Sequence, residues 1–495
     1  PSSAMRSRIS ACTVTSSAVV GSSAISSSGA QAMAAAMEEL TVSINHVSAN
    51  AGETEAISNR AAGHALQGEH GYDNQLQAMH SPFIVHGPAF KRGHRIAGID
   101  NVDVYPLLAH LRGAVYGRVS VYDLSVIPLF MLMGAIAVQG GLSKALFDFA
   151  NALLGRFRGG MAMAGVLACA LFAAVSGSSP ATVVAIGSIL LPAMVRAGFP
   201  NRFGAGIITT AGALGILIPP SIVMVMYSVA TNTSVGQLFM AGVIPGLLLA
   251  GFLGFTTWWR ARKNNYPRMP KASFMERWKA FRESVWGLLL IVVVMGGIYS
   301  GIFTPTEAAA MSAVYAFIVA VFIYKDMGLK DVPKVLLNSA NMSAMLLYII
   351  TNAVLFSFIM TNENIPQALA DWMLGHGLGV IAFLLAVNVL LLLAGNFMEP
   401  SSIVLIFAPI LFPVAMKLGI DPVHFGIIMV VNMEVGMCHP PVGLNLYVAS
   451  GITKMGITEL TVAVWPWLLS MLVFLGLVTY WPGLSLWFPR MLGVM

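Results

Sequence analysis

Long apolar stretches follow one another from Asp123 to the end of the chain. Each runs for about 17–25 residues, the length of helix that crosses a hydrocarbon core about 30 Å thick. Segment 143–158 carries four charged residues among apolar ones, which makes it amphipathic, and it is predicted to lie along the membrane interface. The pattern predicts an all-α, polytopic membrane protein, in which some segments are broken or re-entrant. The predicted segments lie near 123–140, 160–177, 180–197, 203–230, 235–258, 285–303, 306–324, 335–360, 378–395, 402–417, 424–450 and 461–487.

Composition supports a lipid environment and excludes a soluble enzyme or a nucleic-acid-binding protein. Of the 495 residues, 57% are hydrophobic and 10% are charged, and the mean hydropathy is +0.78. A soluble domain carries about 25% charged residues. The net charge of +6 comes from cations between apolar spans. The cysteines Cys12, Cys169 and Cys438 are far apart, so they are predicted as core residues and not as a disulfide framework or metal site.

The first 100 residues form a segment of different character from the membrane domain over 101–495. No apolar stretch typical of a signal peptide follows the basic start. The segment Gln31–Ala62 resembles the cytoplasmic helices of methyl-accepting chemotaxis receptors, and it is interpreted as a fusion or start-site relic or as a signalling piece. It is expected to be poorly ordered or a lone helix. Five apolar residues of this segment have the spacing of coiled-coil a and d positions: Met33, Met37, Leu40, Ile44 and Val47.

An internal repeat with a constant offset is the most informative feature of the chain. Six glycine and proline positions of the first half recur in the second half, and the difference in residue number, 221, is the same in every pair. This register is kept over more than fifty residues, which indicates a duplicated core. The pairs are Pro192 with Pro413, Gly198 with Gly419, Gly215 with Gly436, Pro219 with Pro440, Pro220 with Pro441, and Pro245 with Pro466.

The distribution of cations predicts that the two repeats are inverted. The stretch from Arg260 to Arg282 holds eight Lys or Arg residues and one acid, Glu276. Such a loop is typical of the cytoplasmic side. Two spans separate it from Arg202, and two more separate it from the group Lys325, Lys330 and Lys334. The chain crosses the membrane once more before the second hairpin, which is therefore expected to open to the outside. The two repeats are thus expected to have opposite orientations.

Each repeat contains a polar interruption that predicts the tip of a re-entrant hairpin. The interruptions lie at 176–180 and 395–402. Non-helical backbone at membrane depth is tolerated where protein or a cavity surrounds it. An ordinary short loop outside the membrane is the alternative. Candidate oxygen ligands for Na⁺ or for a carboxylate are Ser178, Ser179, Thr182, Asn396, Ser401 and Ser402.

Each repeat also contains a proline pair that predicts a broken helix. Two prolines in succession end the preceding helix. The carbonyl end of the first half-helix suits Na⁺, and the amide end of the second suits an anion. A purely structural kink is the alternative. Candidate residues at these breaks are Gly212, Gly215, Pro219, Ser221, Glu434, Gly436, Pro440 and Asn445.

Four ionisable side chains are predicted at membrane depth, where such groups are costly and usually functional. Glu307 follows Thr304 and is expected to cap a helix start. Glu399 and Glu434 lie in the polar centres of the second repeat, where they bind a cation or a proton or stabilise the fold. His439 is either a packing residue or a site residue.

From about Ile127 onward the chain resembles the large permease subunit of TRAP transporters (DctM type). The stretches that carry the resemblance include FAAVSGSSPATVVAIGSILLPAM, GIFTPTEAAAMSAVYA, GNFMEPSSIVLIFAPILFPVAMKLGIDPVHFGI and NMEVGMCHPPVGLNLYVASGI. The resemblance implies an elevator-type importer of organic acids in the bacterial inner membrane, with Na⁺ as coupling ion and no other cofactor. It also implies two partners, a small membrane subunit (DctQ-like) and a periplasmic solute-binding protein (DctP-like). The form of the last stretch, with Glu434, resembles the C4-dicarboxylate branch.

The chain departs from the family at its start. The family opens with a long apolar helix, whereas residues 1–100 contain no such stretch and 101–122 form a weak apolar patch. The first helix is therefore expected to be lost or replaced. A chemosensory membrane fusion protein and an inactive truncated permease are the alternative functions.

Overall fold

The computed structural model describes residues 121–139, 141–376 and 379–494. The predictions for residues 1–120, including the receptor-like segment and the missing first helix, lie outside these ranges. Within them every regular element is helical, as the apolar pattern predicts.

The helices form two series with a connecting pair between them. The first series is α1 Val121–Gln139, α2 Leu142–Leu154, α3 Gly160–Ser176, α4 Ser179–Arg196, α5 Asn201–Gly212, α6 Ile222–Thr231 and α7 Val235–Lys263. The connecting pair is α8 Phe274–Tyr299 and α9 Pro305–Ile323. The second series is α10 Val332–Asn362, α11 Ile365–Gly375, α12 Val380–Gly395, α13 Pro400–Lys417, α14 Pro422–Gly436, α15 Leu444–Thr453 and α16 Ile457–Tyr480, and α17 Gly483–Met491 follows it.

The two series repeat each other element by element, which confirms the duplication. Helices α4 and α13 begin and end at positions related by the offset of the sequence repeat. The last residues of α2 and α11 are related by the same offset, so the repeat extends upstream of the predicted hairpins. The sequence pattern missed α11, a short helix between two apolar segments.

The repeat offset increases by one position after the second proline pair, so the prediction of a single register was wrong beyond that point. Val442 is an extra residue there, since Ser221 precedes α6 and Gly443 precedes α15. The first residues of α7 and α16, Val235 and Ile457, keep this larger offset. Pro245 and Pro466 are therefore one position out of register in the folded helices.

Among the described residues, six helices are long and apolar enough to cross a membrane: α4, α7, α8, α9, α13 and α16. The residues Ser125–Gln139 of α1 and helix α2 bend by 68° relative to each other and would form a seventh span together. Helices α3, α6, α12 and α14 are apolar but have only 10–17 residues. At 1.5 Å per residue they fall short of a full crossing, as expected for hairpins and broken helices.

Two hydrogen bonds show that the broken spans run antiparallel. Asn201, at the start of α5, donates to the Thr453 carbonyl at the end of α15, at 3.4 Å. Tyr227, near the end of α6, donates to the Pro422 carbonyl at the start of α14, at 2.8 Å. The start of one broken span thus lies beside the end of the other, which confirms inverted repeats.

Capping boxes mark the starts of α8 and α9. Ser273 and Glu276 form a capping box, so α8 begins eleven residues before the predicted span. Thr304 and Glu307 form the same motif at the start of α9: Glu307 accepts from the Thr304 backbone amide at 2.8 Å. The predicted capping role of Glu307 is confirmed.

Helices of the two series pack reciprocally in the core. The second half-helix α6 packs against α13 of the other repeat, and α15 packs against α4. Cys169 and Cys438 are fully buried, as predicted. This packing between the repeats brings the hairpins and the breaks of both repeats into one region.

Candidate functional site at the hairpin tips and helix breaks

The first hairpin tip (residues 176–180) joins α3 to α4 by a sharp turn. Gly177 has φ +60°, a left-handed conformation that glycine adopts without steric cost. Thr182 donates to the Ser178 carbonyl at 2.9 Å, and its hydroxyl also lies 2.9 Å from the Ser176 hydroxyl. The tip is closed by its own hydroxyls. Ser176 belongs to the predicted interruption, but it was not among the candidate oxygen ligands.

The first helix break (residues 213–221) packs directly on that tip. A Cβ on Gly215 would lie 2.6 Å from the Ser178 carbonyl oxygen, so only glycine fits there. The amide of Ile222 donates to the Gly177 carbonyl at 3.4 Å. Ser221 donates to the Ile216 carbonyl at 2.5 Å and caps α6. Tip and break therefore form one unit.

The second hairpin tip (residues 395–400) is organised by Glu399. This carboxylate accepts hydrogen bonds from the Ser401 hydroxyl at 2.8 Å and from the Ser402 amide at 3.1 Å. Glu399 is the N-cap of α13, and Ser178, its equivalent in the first repeat, is the N-cap of α4. The two hairpins thus differ in charge at the same structural position.

The second helix break (residues 437–443) contacts the second tip in a similar way. A Cβ on Gly436 would lie 2.9 Å from the Gly395 Cα. The His439 ring nitrogen Nδ1 lies 2.9 Å from the Asn396 side-chain oxygen, and the Gly443 amide donates to the Asn396 carbonyl at 3.3 Å. His439 therefore holds the break against the tip.

Asn445 connects the second break to the first hairpin. Its side-chain oxygen lies 3.0 Å and its nitrogen 2.8 Å from the Ser179 hydroxyl, and the nitrogen also donates to the Thr209 carbonyl at 3.2 Å. The Cys438 thiol donates to the same carbonyl at 3.3 Å. Both tips and both breaks thereby belong to one network.

Thr209 and Cys438 belong to this network although the sequence interpretation did not assign them to the site. Thr209 lies within α5, which is buried from Phe203 to its end. Its position, one turn before a predicted break, is a signal from which its place in the site could have been predicted. Cys438, read as a core residue, is indeed buried, but its thiol also faces the network.

Glu434 is fully buried in the last turns of α14. It precedes Cys438 by four residues, and Cys438 lies in the break just after the end of the helix. Neither carboxylate oxygen has a hydrogen-bond partner within the ranges that the structure describes. A charged carboxylate in such surroundings is costly unless a cation accompanies it.

The remaining candidates have structural positions around the network. A Cβ on Gly212 would lie 2.2 Å from Val183 of α4, so this glycine allows α5 and α4 to pack closely. Pro219 is buried, whereas Pro440 is half-buried. Glu307 lies apart, at the start of α9.

The second tip is the more accessible one, with Phe397 69% exposed. Both proline pairs have cis peptide bonds.

Comparisons with known proteins agree with this architecture. The family model described as "Tripartite ATP-independent periplasmic transporter, DctM component" matches residues 93–484. The C4-dicarboxylate TRAP transporter large permease protein DctM of Rhodobacter capsulatus is 70% identical over 387 residues, which cover 75% of this chain and 88% of the relative. The protein of the same description from Pseudomonas aeruginosa is 57% identical over 373 residues, with 75% and 87% covered.

A solved structure shares the fold. The YdaH transporter of Alcanivorax borkumensis superposes with a TM-score of 0.58 at 19% identity, over 78% of this chain and 90% of that one. The likeness at this identity concerns the fold alone. The family match covers most of the chain, and the relatives are transporter permeases. The chain therefore belongs to the DctM family of tripartite ATP-independent periplasmic transporters, and it is a polytopic membrane transport component and not an enzyme.

Proposed function

We propose that this chain carries a C4-dicarboxylate across the bacterial inner membrane together with Na⁺, as the large membrane subunit of a tripartite transporter. A small membrane subunit and a periplasmic solute-binding protein are its partners. The observation that carries the proposal is the contact of Ser179 with Asn445, through which both tips and both breaks form one polar network. The two relatives above are named for C4-dicarboxylate transport.

The pattern of capped and uncapped helix starts favours one place in the network for the anionic substrate. Glu399 caps α13 and Ser221 caps α6, so side chains of the protein occupy these amide ends. Ser178 occupies the N-cap position of α4, but no side-chain hydrogen bond caps α4 or α15 within the described residues. Helices α4 and α15 pack together, so their amide ends attract the same ligand. A dicarboxylate therefore fits best beside Ser178 and Asn445.

The coupling cation fits the carbonyl ends of the broken helices. The carbonyl ends of α5 and α14 precede the breaks, and such ends can coordinate Na⁺. Glu434 adds a buried carboxylate without a protein partner among the described residues. Hard oxygen ligands with a negative charge suit a small cation such as Na⁺. The uncapped amide ends and the carbonyl ends would then bind substrate and Na⁺ side by side.

The close backbone contacts also favour movement of the network as one body. Gly215 packs on Ser178, and Gly395 packs on Gly436, with no room for side chains between them. Tips and breaks cannot separate without losing these contacts. A transport core made of α3–α6 and α12–α15 would therefore move against the remaining helices and expose the site to each side in turn.

Uptake into proteoliposomes tests the proposal. The complete transporter, with its small subunit and binding protein, takes up radiolabelled succinate when Na⁺ is high outside. Ser178→Phe and Ser401→Phe, each at one tip, should abolish this uptake because a bulky ring cannot fit in the network. Ser188→Phe is the matched control, since Ser188 is exposed and lies on α4 ten residues from the tip; it should transport normally.

The outcomes separate the parts of the proposal. Uptake that persists when K⁺ replaces Na⁺ would exclude Na⁺ coupling. Unimpaired uptake by the Ser178 and Ser401 variants would exclude the site. Binding of a different organic acid by the solute-binding protein, with no succinate uptake, would change the substrate but leave the transport mechanism intact.

A further inference from the structure

An apolar groove lies between α1, α9 and α10, away from the hairpins and the breaks. It has a volume of about 350 Å³, and all the side chains that line it are apolar. Its floor includes the buried Ala313 and Val335, and its rim includes the exposed Val314 and Leu336. The rim therefore exposes apolar side chains, as a surface that faces lipid would.

Three lysines lie close in the chain to residues that line this groove. Met327, which lines it and is buried, lies between Lys325 and Lys330 in the chain, and Lys334 precedes the lining residue Val335. All three lysines are exposed, and none forms an ion pair within the described ranges.

The acids beside these lysines are already engaged by the backbone. Asp326 accepts from the Gly141 amide at 2.9 Å, and Asp331 accepts from the Gly328 amide at 3.0 Å. Three lysines and these two carboxylates leave the stretch 325–334 with a net charge of +1. Two spans separate it from the basic loop between α7 and α8, so it lies on the cytoplasmic side.

We propose that the groove holds an acyl chain of an anionic glycerophospholipid, whose phosphate lies among Lys325, Lys330 and Lys334. The apolar lining matches an acyl chain, and the lysines match the negative headgroups of the cytoplasmic leaflet. A membrane helix about 10 Å across and 30 Å long occupies on the order of 2,000 Å³, so the groove is too small to enclose one. A lipid bound there would stabilise α10 against α1 and α9.

Native mass spectrometry of the purified, delipidated full chain tests this site. The probes are dioleoyl-phosphatidylglycerol, dioleoyl-phosphatidylcholine and oleate. One phosphatidylglycerol per chain should be retained at least tenfold more than phosphatidylcholine. The triple variant Lys325→Gln, Lys330→Gln and Lys334→Gln should lose that preference. The control triple Lys263→Gln, Lys271→Gln and Lys279→Gln removes the same charge from the same side and should keep it.

A second pair of variants tests the apolar part. Val314→Trp fills the groove from its rim and should prevent retention of phosphatidylglycerol. Val473→Trp, at a similarly exposed position of α16, should not.

Four results would overturn the proposal. These are equal retention of the two phospholipids, equal loss in the control triple, retention of oleate as strong as that of phosphatidylglycerol, and crosslinking of the Leu336→Cys variant to a partner protein in native membranes. The last result would identify the groove as a protein interface.

Discussion

Ser179 and Asn445, 266 residues apart in the chain, form a buried hydrogen-bonded pair between the two inverted repeats. Ser179 begins the returning helix of the first hairpin, and Asn445 lies in the first turn of α15. The pair couples the first hairpin to the second helix break. The geometry of the candidate site therefore depends on how the repeats are placed against each other, and not on either repeat alone.

Loss of the Asn445 side chain should impair transport more than it impairs folding. Asn445→Ala leaves the buried Ser179 hydroxyl without its partner, which costs about 1–3 kcal/mol, and leaves the Thr209 carbonyl with the Cys438 thiol as its side-chain donor. We expect succinate uptake to fall at least tenfold, measured in proteoliposomes and normalised to folded protein. Asn388→Ala is the control, because Asn388 is also buried and hydrogen-bonded, to Thr479 at 2.9 Å, away from the tips. Equal losses in both variants would contradict a special role for Asn445.

The two glycine contacts between tips and breaks should not tolerate even a methyl group. Gly215→Ala and Gly436→Ala would place Cβ 2.6 and 2.9 Å from backbone atoms, so the tip must shift. Overpacking of this kind costs about 1–3 kcal/mol. We expect a lower midpoint of thermal unfolding and a loss of uptake.

Gly254→Ala and Gly476→Ala are the matched controls for this pair. Both glycines lie in helices, and a Cβ there would meet nothing within 4 Å. These variants should be neutral or slightly more stable, because alanine favours helix over glycine by up to about 1 kcal/mol. Normal transport by Gly215→Ala would show that the tip can move away from the break.

Replacement of Glu434 should change the response to Na⁺. Glu434→Gln keeps the size of the side chain and removes a buried charge without a partner among the described residues. We expect the Na⁺ concentration for half-maximal uptake to rise at least tenfold, while the protein stays folded. Glu459→Gln is the control, because Glu459 is partly exposed on α16 and pairs with Arg202 at 2.5 Å. An unchanged Na⁺ dependence of Glu434→Gln would place the coupling ion elsewhere.

The inverted topology predicts opposite labelling of two equivalent positions. Arg196 and Lys417 are the last residues of α4 and α13, occupy the same position of the repeat and are both exposed. In a background with Cys12→Ser, a membrane-impermeant maleimide should label Lys417→Cys in spheroplasts. Arg196→Cys should react only after permeabilisation. Labelling of both variants from the same side would exclude inversion.

Parts of the site follow directly from local sequence. The pair Thr304 and Glu307 predicts a capping box, because that motif needs only residues three positions apart. The turns at Gly198 and Gly419 have φ of +86° and +74°, a conformation that favours glycine, so their spacing reveals the repeat. Such features depend on backbone geometry within a few residues.

Other parts could not be predicted because they depend on distant contacts. The role of Glu399 was open between ion binding and structure, and the fold assigns it to the cap of α13. The pairing of Cys438 with Thr209 joins residues of opposite repeats. The one-residue shift at Val442 also escaped notice, because proline and glycine positions on either side continued to match within one residue.

The sequence by itself determined the membrane environment, the duplication, the inversion and the places where helices must stop, since apolar length, charge placement and proline geometry are local properties. Tertiary structure alone decided which tip faces which break, that Ser179 meets Asn445, and that Glu434 is left without a partner among the described residues. The physical reason is that hydrogen bonding and burial depend on the packing of α4 against α15 and of α6 against α13, which no single stretch of sequence encodes.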